Sequence, residues 1–172
     1  DVLAQTQRLQ TMVDRLLELS KLEQRQAPQA PQQLVLNEFL ESFVPLAQAG
    51  RAQVAIELIA NGDTSHIRAD PDLLALALNN LLDNAAAFAP PGSTVTLEAR
   101  DQTITVTDQG PGVPDFAMPQ LGNKFFSTVR PDGVTKGSGL GLAIVQQIMA
   151  LHGGRMVVRN GEPGLRVKLQ FA

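Results

Sequence analysis

The sequence predicts an α/β (α+β) two-layer sandwich. In it a mixed, largely antiparallel sheet packs against about three helices and is preceded by one long amphipathic helix. Three observations carry this reading. Helical apolar patterns over residues 37–49, 71–88 and 141–151 are interleaved with segments that alternate apolar and polar. Two of the alternating pairs, 94–100 with 102–108 and 155–160 with 165–171, are separated by short turns and read as hairpins. The first 26 residues place Leu9, Met12, Val13, Leu16, Leu17 and Leu19 at three- and four-residue spacing, the stripe of a helix. Helices segregated to one face of an antiparallel sheet are one of the few stable layer arrangements.

Each element has a local cause. The opposite face of the first helix is Gln, Arg, Glu and Lys, so its apolar stripe needs a partner: a second helix in a coiled coil or bundle, or the chain's own domain. Residues 24–33, rich in Gln, Ala and Pro, read as a linker. A short strand over 33–36 follows, and Asn37 is a candidate N-cap for a helix through Ala49. Val54, Ile56 and Leu58 alternate as a strand, closed by Asn61-Gly62-Asp63. A short strand over 66–69 leads to Asp70-Pro71, an N-cap followed by proline at the first helical position. The helix it starts runs to Phe88 and is stopped by Pro90-Pro91-Gly92. The first hairpin turns at Asp101. The long Gly/Pro/polar stretch 109–136, with a short helix near 118–121, has the length of a functional loop or lid.

Composition bounds the chemistry. The chain has 172 residues, 44% of them hydrophobic, enough for one cored domain and an appendage. Its net charge of −3 and lack of a basic run argue against a nucleic-acid partner. With no cysteine there is no disulfide, Cys-based zinc site or thiol chemistry. His66 and His152 are the only histidines and lack metal-ligand spacing. No apolar run approaches the roughly 18 residues that span a bilayer. Asp1 is not a natural start, and the chain reads as part of a longer one.

Three separated stretches make chemical sense together. Lys136-Gly137-Ser138-Gly139-Leu140-Gly141-Leu142 leads into a helix. Backbone N–H groups at a helix start, brought close by glycines, form a phosphate seat. Leu142 departs from a dinucleotide fingerprint, and Lys136 precedes the glycines instead of following them as in a P-loop. In Asn80-Leu81-Leu82-Asp83-Asn84-Ala85 the two outer asparagines share a helix face, and a carboxamide oxygen is a hard ligand suited to Mg²⁺. Solvated or core-satisfied amides explain that pair equally well. Asp108-Gln109-Gly110-Pro111-Gly112 ends a strand with a carboxylate able to accept from an exocyclic amine. A simple Asx turn is the bland alternative.

Taken in order, these stretches resemble the catalytic, ATP-binding domain of sensor histidine kinases, the Bergerat or GHKL fold shared with gyrase and MutL. Asn80–Asn84 is similar to the N box, Asp108–Gly112 to the G1 box, Lys124-Phe125-Phe126-Ser127-Thr128 to an F box and Gly137–Leu142 to the G2 box. The resemblance covers about residues 30–172. It implies an upstream piece (1–27) from the second helix of a dimerisation and phosphotransfer domain, a linker (28–33) and a catalytic domain (34–172). It implies ATP and Mg²⁺ as cofactors. Asn84 would be the Mg²⁺ ligand, Asn80 a phosphate-side contact and Asp108 the adenine reader. Phe88 would lie beside the nucleotide, with Gly110, Gly112 and Val113 around the base. Lys124, Phe125, Phe126, Arg130 and Lys136 would belong to the lid, and Gly137, Ser138, Gly139, Leu140, Gly141 and Leu142 would meet the phosphates.

The departures from the pattern are Ala87 where a basic residue is frequent, Gly122 at the first F-box aromatic, Ser127 for an Arg and Leu165 for a Thr. Gyrase-type ATPases carry a Glu at the position of Asn80 as general base for water. An amide cannot serve, so the resemblance implies phosphotransfer over hydrolysis. The acceptor histidine is expected upstream of Asp1. The chain alone would then bind Mg-ATP without phosphorylating itself. The implied setting is a homodimer through the N-terminal helix, a response-regulator receiver domain as partner, and a cytoplasmic location. Any bacterial inner-membrane attachment would lie in upstream segments. A serine kinase or anti-sigma factor of the same superfamily, and a degenerate nucleotide-binding or dimerisation module, are the alternatives.

Overall fold

A computed structural model describes residues 1–126 and 139–172. Helices α1 (Val2–Glu23), α2 (Leu36–Ala49), α3 (Pro71–Phe88) and α4 (Gly141–Leu151) accompany seven strands. These are β1 (Gln32–Val35), β2 (Ala55–Leu58), β3 (His66–Ala69), β4 (Thr94–Arg100), β5 (Thr103–Thr107), β6 (Arg155–Asn160) and β7 (Leu165–Gln170). A 3₁₀ turn covers Met118–Gln120. Five strands form the main sheet in the order β2-β4-β5-β7-β6, and β1 pairs with β3 in a small antiparallel ribbon. Only β2–β4 is parallel; β4–β5, β5–β7 and β6–β7 are antiparallel. The predicted sandwich and both hairpins are therefore present.

The strand alternation does the sorting. Val95, Leu97 and Ala99 of β4, Ile104 and Val106 of β5 and Val167 and Leu169 of β7 face inward. Their neighbours Thr96, Glu98, Thr105 and Lys168 take the opposite face. Helix α2 lies over β2 and β4, α3 over β4 and β5, and α4 over β6, with α3 and α4 packed on each other. Leu74, Leu78, Leu81 and Leu82 of α3 meet Ile144, Val145 and Ile148 of α4 in one core.

Asp70 caps α3 as its sequence promised, accepting from the Asp72 and Leu73 N–H groups at 3.0 and 3.2 Å. Asn37 does not cap α2. The cap falls two residues earlier, on Val35, so the helix begins at Leu36, and the Asn37 amide donates to the Asp63 carbonyl at 2.6 Å. The local signal lost to a tertiary one: Asn37 ties α2 to the 61–65 loop. That loop in turn supports the β4–β5 turn, where Asp101 and Gln102 both have positive φ. Asp63 Oδ2 accepts from the Asp101 N–H, and Ser65 Oγ accepts from the Gln102 N–H.

Helix α1 ends at Glu23, slightly short of the predicted 26, and its apolar residues divide between two faces. Leu19 and Leu22 are buried, and Met12 packs against the same core, where α1 lies along α4. Val2, Leu3, Leu9, Val13, Leu16 and Leu17 stay exposed. The single stripe read from spacing is thus two stripes, one of which docks on the chain's own domain.

Candidate functional site

Helix α3 organises the site. Asn80, Asn84 and Phe88 follow one another at four-residue steps, so they line one face over about 12 Å at 1.5 Å per residue. At the upstream end Asn80 is buried, and its Nδ2 donates back to the Leu76 carbonyl at 2.9 Å. Its Oδ1 takes no hydrogen bond among the described residues and sits 3.4 Å from the place a Cβ on Gly141 would occupy. Gly141 is the first residue of α4, so the amide oxygen lies against the N-terminus of that helix. Asn84, in the middle, is half-buried.

At the downstream end the Phe88 carbonyl lies against Gly110, where an added Cβ would come within 2.7 Å of it. The Gly110 N–H donates to Asp108 Oδ1 at 2.9 Å. Asp108 is the last link. Its carboxylate is buried, and Oδ1 also accepts from the Leu165 N–H at 3.1 Å, while the Asp108 N–H donates to the Leu165 carbonyl. Burial raises the Asp108 pKa above its ordinary value, and the two backbone donors pull against that rise. Oδ2 accepts no hydrogen bond among the described residues. A buried carboxylate with one unused oxygen seeks a donor.

Two glycines make these approaches possible. Gly164 has φ +89°, and a Cβ on it would collide with the Asp108 carbonyl. Gly139, φ +72°, passes so close to the Phe125 backbone that no side chain fits between them; its carbonyl accepts from the Phe125 N–H at 2.9 Å. Leu140 is fully buried and anchors α4 from the N-cap position, and half-buried Leu142 packs on the core. Gly112 has φ +74°, and the neighbouring Val113 exchanges two hydrogen bonds with Asn160, N–H to Oδ1 at 2.8 Å and Nδ2–H to carbonyl at 2.7 Å. Asn160 thereby braces the 112–113 loop, a role that no short motif announces, while Leu165, read from sequence only as a departure from a Thr, contributes its backbone N–H to the carboxylate.

Phe125 is exposed with φ +65°, and the half-buried Phe126 donates its N–H to the Asn123 carbonyl. Lys124 does not stand clear for a ligand: its Nζ pairs with the Glu23 carboxylate of α1 at 3.0 Å. Arg130, Lys136, Gly137 and Ser138 lie outside the described residues. A residue that sequence reasoning missed is Arg51, buried at the end of α2. It donates to Asp83 Oδ1 from Nε and Nη2, to the Asn79 carbonyl and Oδ1, and to the Ala47 carbonyl. Asn79 and Asp83 are the second four-residue pair of α3, on a face that serves structure. The i, i+4 spacing was the available signal, though it could not reveal a cation 28 and 32 residues away. Both ring nitrogens of His152 are engaged: Nδ1 with the Ile148 carbonyl at 2.7 Å, and Nε2 accepting from the Asp70 N–H at 3.0 Å.

Known proteins agree with this geometry. The family model described as histidine kinase-, DNA gyrase B-, and HSP90-like ATPase matches residues 69–172. The sensor protein QseC of Escherichia coli (strain K12) is 38% identical over 156 residues, covering 89% of this chain and 34% of that protein. The chain spans about a third of the length of the curated relatives it matches. The solved cytoplasmic segment of histidine kinase QseC superposes with a TM-score of 0.65 at 27% identity, over 96% of this chain and 93% of that one. Full-length ShkA in complex with AMPPNP gives 0.68 at 28% identity, over 95% of this chain and 36% of that one. Matched over more than half its length and in the same fold, the chain belongs to the histidine kinase-, DNA gyrase B-, and HSP90-like ATPase family and is a catalytic ATP-binding domain of the sensor histidine kinase type.

Proposed function

We propose that this domain holds Mg-ATP along the Asn80–Asn84–Phe88 face of α3 and presents its γ-phosphate to a histidine outside the chain. The observation that carries the proposal is the line Gly141–Asn80–Asn84–Phe88–Gly110–Asp108, which joins a helix N-terminus to a buried carboxylate along one helix face. Asp108 Oδ2 receives the adenine amine, and the first N–H groups of α4 receive phosphate oxygens. The Asn84 carboxamide, with Asn80 one turn away, supplies hard oxygen for Mg²⁺. The described residues contain no cluster of three or more acidic or histidine side chains that would hold a cation unaided. That fits an ion shared with nucleotide phosphates, which would neutralise their charge. Positioning and charge neutralisation are most of what phosphoryl transfer asks of a protein. His152 is unsuited to accept the phosphoryl group, since both its nitrogens are committed within the fold.

In this reading α1 and the 24–31 segment join the catalytic unit to a helical dimerisation and phosphotransfer domain. The whole protein pairs with a second copy through its helices and passes phosphate to a response-regulator receiver domain. The domain works on the cytoplasmic side of a membrane-attached protein. Titration calorimetry of the chain with ATP, with and without Mg²⁺, tests the site. Wild type should bind both, tighter with Mg²⁺; Asn84→Ala should lose the Mg²⁺ enhancement, and Asp108→Asn should lose affinity under both conditions. Unchanged binding in Asp108→Asn would remove the assignment. Incubation with γ-labelled ATP should leave no label on the chain alone. An acid-stable phosphoryl product on a separate protein would favour the serine-kinase alternative.

A further inference from the structure

Helices α2, α3 and α4 cover one face of the main sheet, and among the described residues the other face is open. Register sorts the side chains of that open face into rows. Glu57 of β2, Thr96 of β4, Thr107 of β5, Arg166 of β7 and Arg159 of β6 stand in one row across the strands. Glu98, Thr105, Lys168 and Val157 form the next. Carboxylates therefore lie toward β2 and β4, threonine hydroxyls along β5, and cations on β7 and β6. Thr103, Thr105 and Thr107 are shorter than the side chains on either hand. They floor a furrow of about 390 Å³, walled by Glu98 and Arg100 on one side and by Arg166, Lys168 and Gln170 on the other.

The two walls differ electrically. Arg100 and Glu98 pair with each other at 3.5 Å. Strands β5, β6 and β7 hold no Asp or Glu, yet they place Arg155, Arg159, Arg166 and Lys168 on the open face. Arg155 donates to the neutral Gln170 Oε1 at 2.6 Å. Arg159, Arg166 and Lys168 have no ion pair among the described residues, not even with Glu162 of the β6–β7 turn. Arg159 and Arg166 are directly opposite each other in the ladder, where like charges destabilise a sheet. A chain of net charge −3 thus gathers uncompensated cations on one wall. Proteins keep such a cost to stability where function needs it, and a bound anion would remove it.

We propose that this furrow docks an acidic segment of a partner protein, laid extended along β5 with carboxylates at alternate positions. The repeat argues for the conformation. Arg166 and Lys168 are two residues apart on a strand, about 7 Å, and an extended chain with acidic residues at i and i+2 has the same step. From β4 to β7 is two strand spacings, about 9.5 Å, which admits one such chain. The charge pattern selects protein over a lipid surface. An anionic bilayer is negative throughout and would also meet Glu57, Glu98 and Asp101 on the other half of the face. A protein segment instead sets its carboxylates toward β7 and its amides and hydroxyls toward the threonines and Glu98. Threonine hydroxyls serve such a partner as both donors and acceptors. The furrow lies across the sheet from α3, so an occupant leaves the Asn80–Asn84–Phe88 face free.

The test follows amide chemical shifts of the whole chain during titration with four probes. These are a short peptide alternating Glu and Ser, its Lys–Ser counterpart, inorganic phosphate, and phosphatidylglycerol vesicles. The Glu–Ser peptide alone should move the amides of Thr105, Thr107 and Lys168, and its affinity should fall as salt is raised. Arg166→Glu with Lys168→Glu should weaken that peptide about 10-fold or more. Arg8→Glu with Arg68→Glu makes the same change of charge on other elements and should leave it within about a factor of two. Arg166→Thr with Lys168→Thr keeps β-forming side chains, so it should weaken the peptide to a lesser degree without lowering the melting midpoint. Absence of Glu–Ser binding, shifts centred away from β5 and β7, or undiminished binding in both double variants of the furrow would overturn the proposal. A lowered midpoint in the threonine variant would overturn it too, because the cations would then serve the sheet itself. Phosphate or vesicles that move the same amides as strongly would also overturn it, by giving the furrow to a free anion or a lipid headgroup.

Discussion

Asp108 concentrates the chemistry that single residues contribute. Its side chain is buried, yet among the described residues only Oδ1 is satisfied, by the N–H groups of Gly110 and Leu165. Asp108→Asn keeps that acceptor and replaces Oδ2 by a donor. Adenosine and ATP affinity are expected to fall by about 1–3 kcal/mol, while thermal stability should not drop, since a poorly solvated charge has been removed. Melting curves and calorimetry on the same sample separate the two effects. The pH dependence follows from the raised pKa. The native state holds the Asp108 proton more tightly than the unfolded chain, so this group's contribution to stability falls as pH rises from the unfolded value near 3.8 through the folded one and is flat above. Nucleotide binding needs the ionised form, so affinity should decline as pH drops through the raised pKa, and Asp108→Asn should abolish that dependence. Asp63 has the opposite sign. Hydrogen bonds from Ser65 and Asp101 lower its pKa, so its stabilisation is present above the unfolded value and is lost as pH falls through the folded one. Gly164→Ala would force a side chain into the Asp108 carbonyl at φ +89° and should cost about 1–3 kcal/mol of strain, read as a lower denaturation midpoint.

At the scale of elements, what could be read from sequence was whatever is encoded locally. The Asp70-Pro71 start of α3, the hairpins and the Asn80–Asn84 face all depend on residues a few positions apart, and each is present. What could not be read depends on distant partners. Asn37 has cap chemistry but serves the Asp63 carbonyl 26 residues on. The Leu165 N–H joins Asp108 only because β5 and β7 are neighbours. The two faces of α1 cannot be told apart until α4 is laid beside one of them. Arg51 is the energetic case. It fastens the end of α2 to the face of α3 that adjoins the asparagine face, through Asp83, Asn79 and Ala47. Arg51→Met should lower unfolding free energy by about 2–3 kcal/mol, chiefly by stranding Asn79 Oδ1 and the Ala47 carbonyl. Asp83→Asn on top of it should cost less than it does alone, because the partner is already gone. Denaturant titrations of the double-mutant cycle check this, and additive losses would show that Asp83 matters to stability mainly through Arg15, whose Nη2 reaches Asp83 Oδ2 at 3.7 Å.

At the scale of the molecule, α1 has one face for the catalytic unit and one for something else. Val2, Leu9, Val13 and Leu16 are spaced by seven, four and three residues, the rhythm of a helical seam, and Leu9, Val13 and Leu16 are 63, 49 and 40% exposed. The seam points away from the Leu19–Leu22 face, so pairing through it leaves the nucleotide site untouched. A second copy of the same helix is the occupant that the proposed dimeric kinase supplies, because a two-fold pairing puts the same apolar seam on both sides. Two consequences can then be separated by experiment. Leu9→Glu with Leu16→Glu should abolish concentration-dependent association in sedimentation equilibrium yet leave ADP affinity unchanged. Saturating Mg-ATP should stabilise wild type and this variant alike: ligand at about 100 times its dissociation constant adds about 2.7 kcal/mol, or about 5–10 °C in melting temperature for a chain of this size. If the paired substitution instead weakened nucleotide binding, the two faces of α1 would not be independent, and the helix would have to be treated as one coupled surface between dimer and active site.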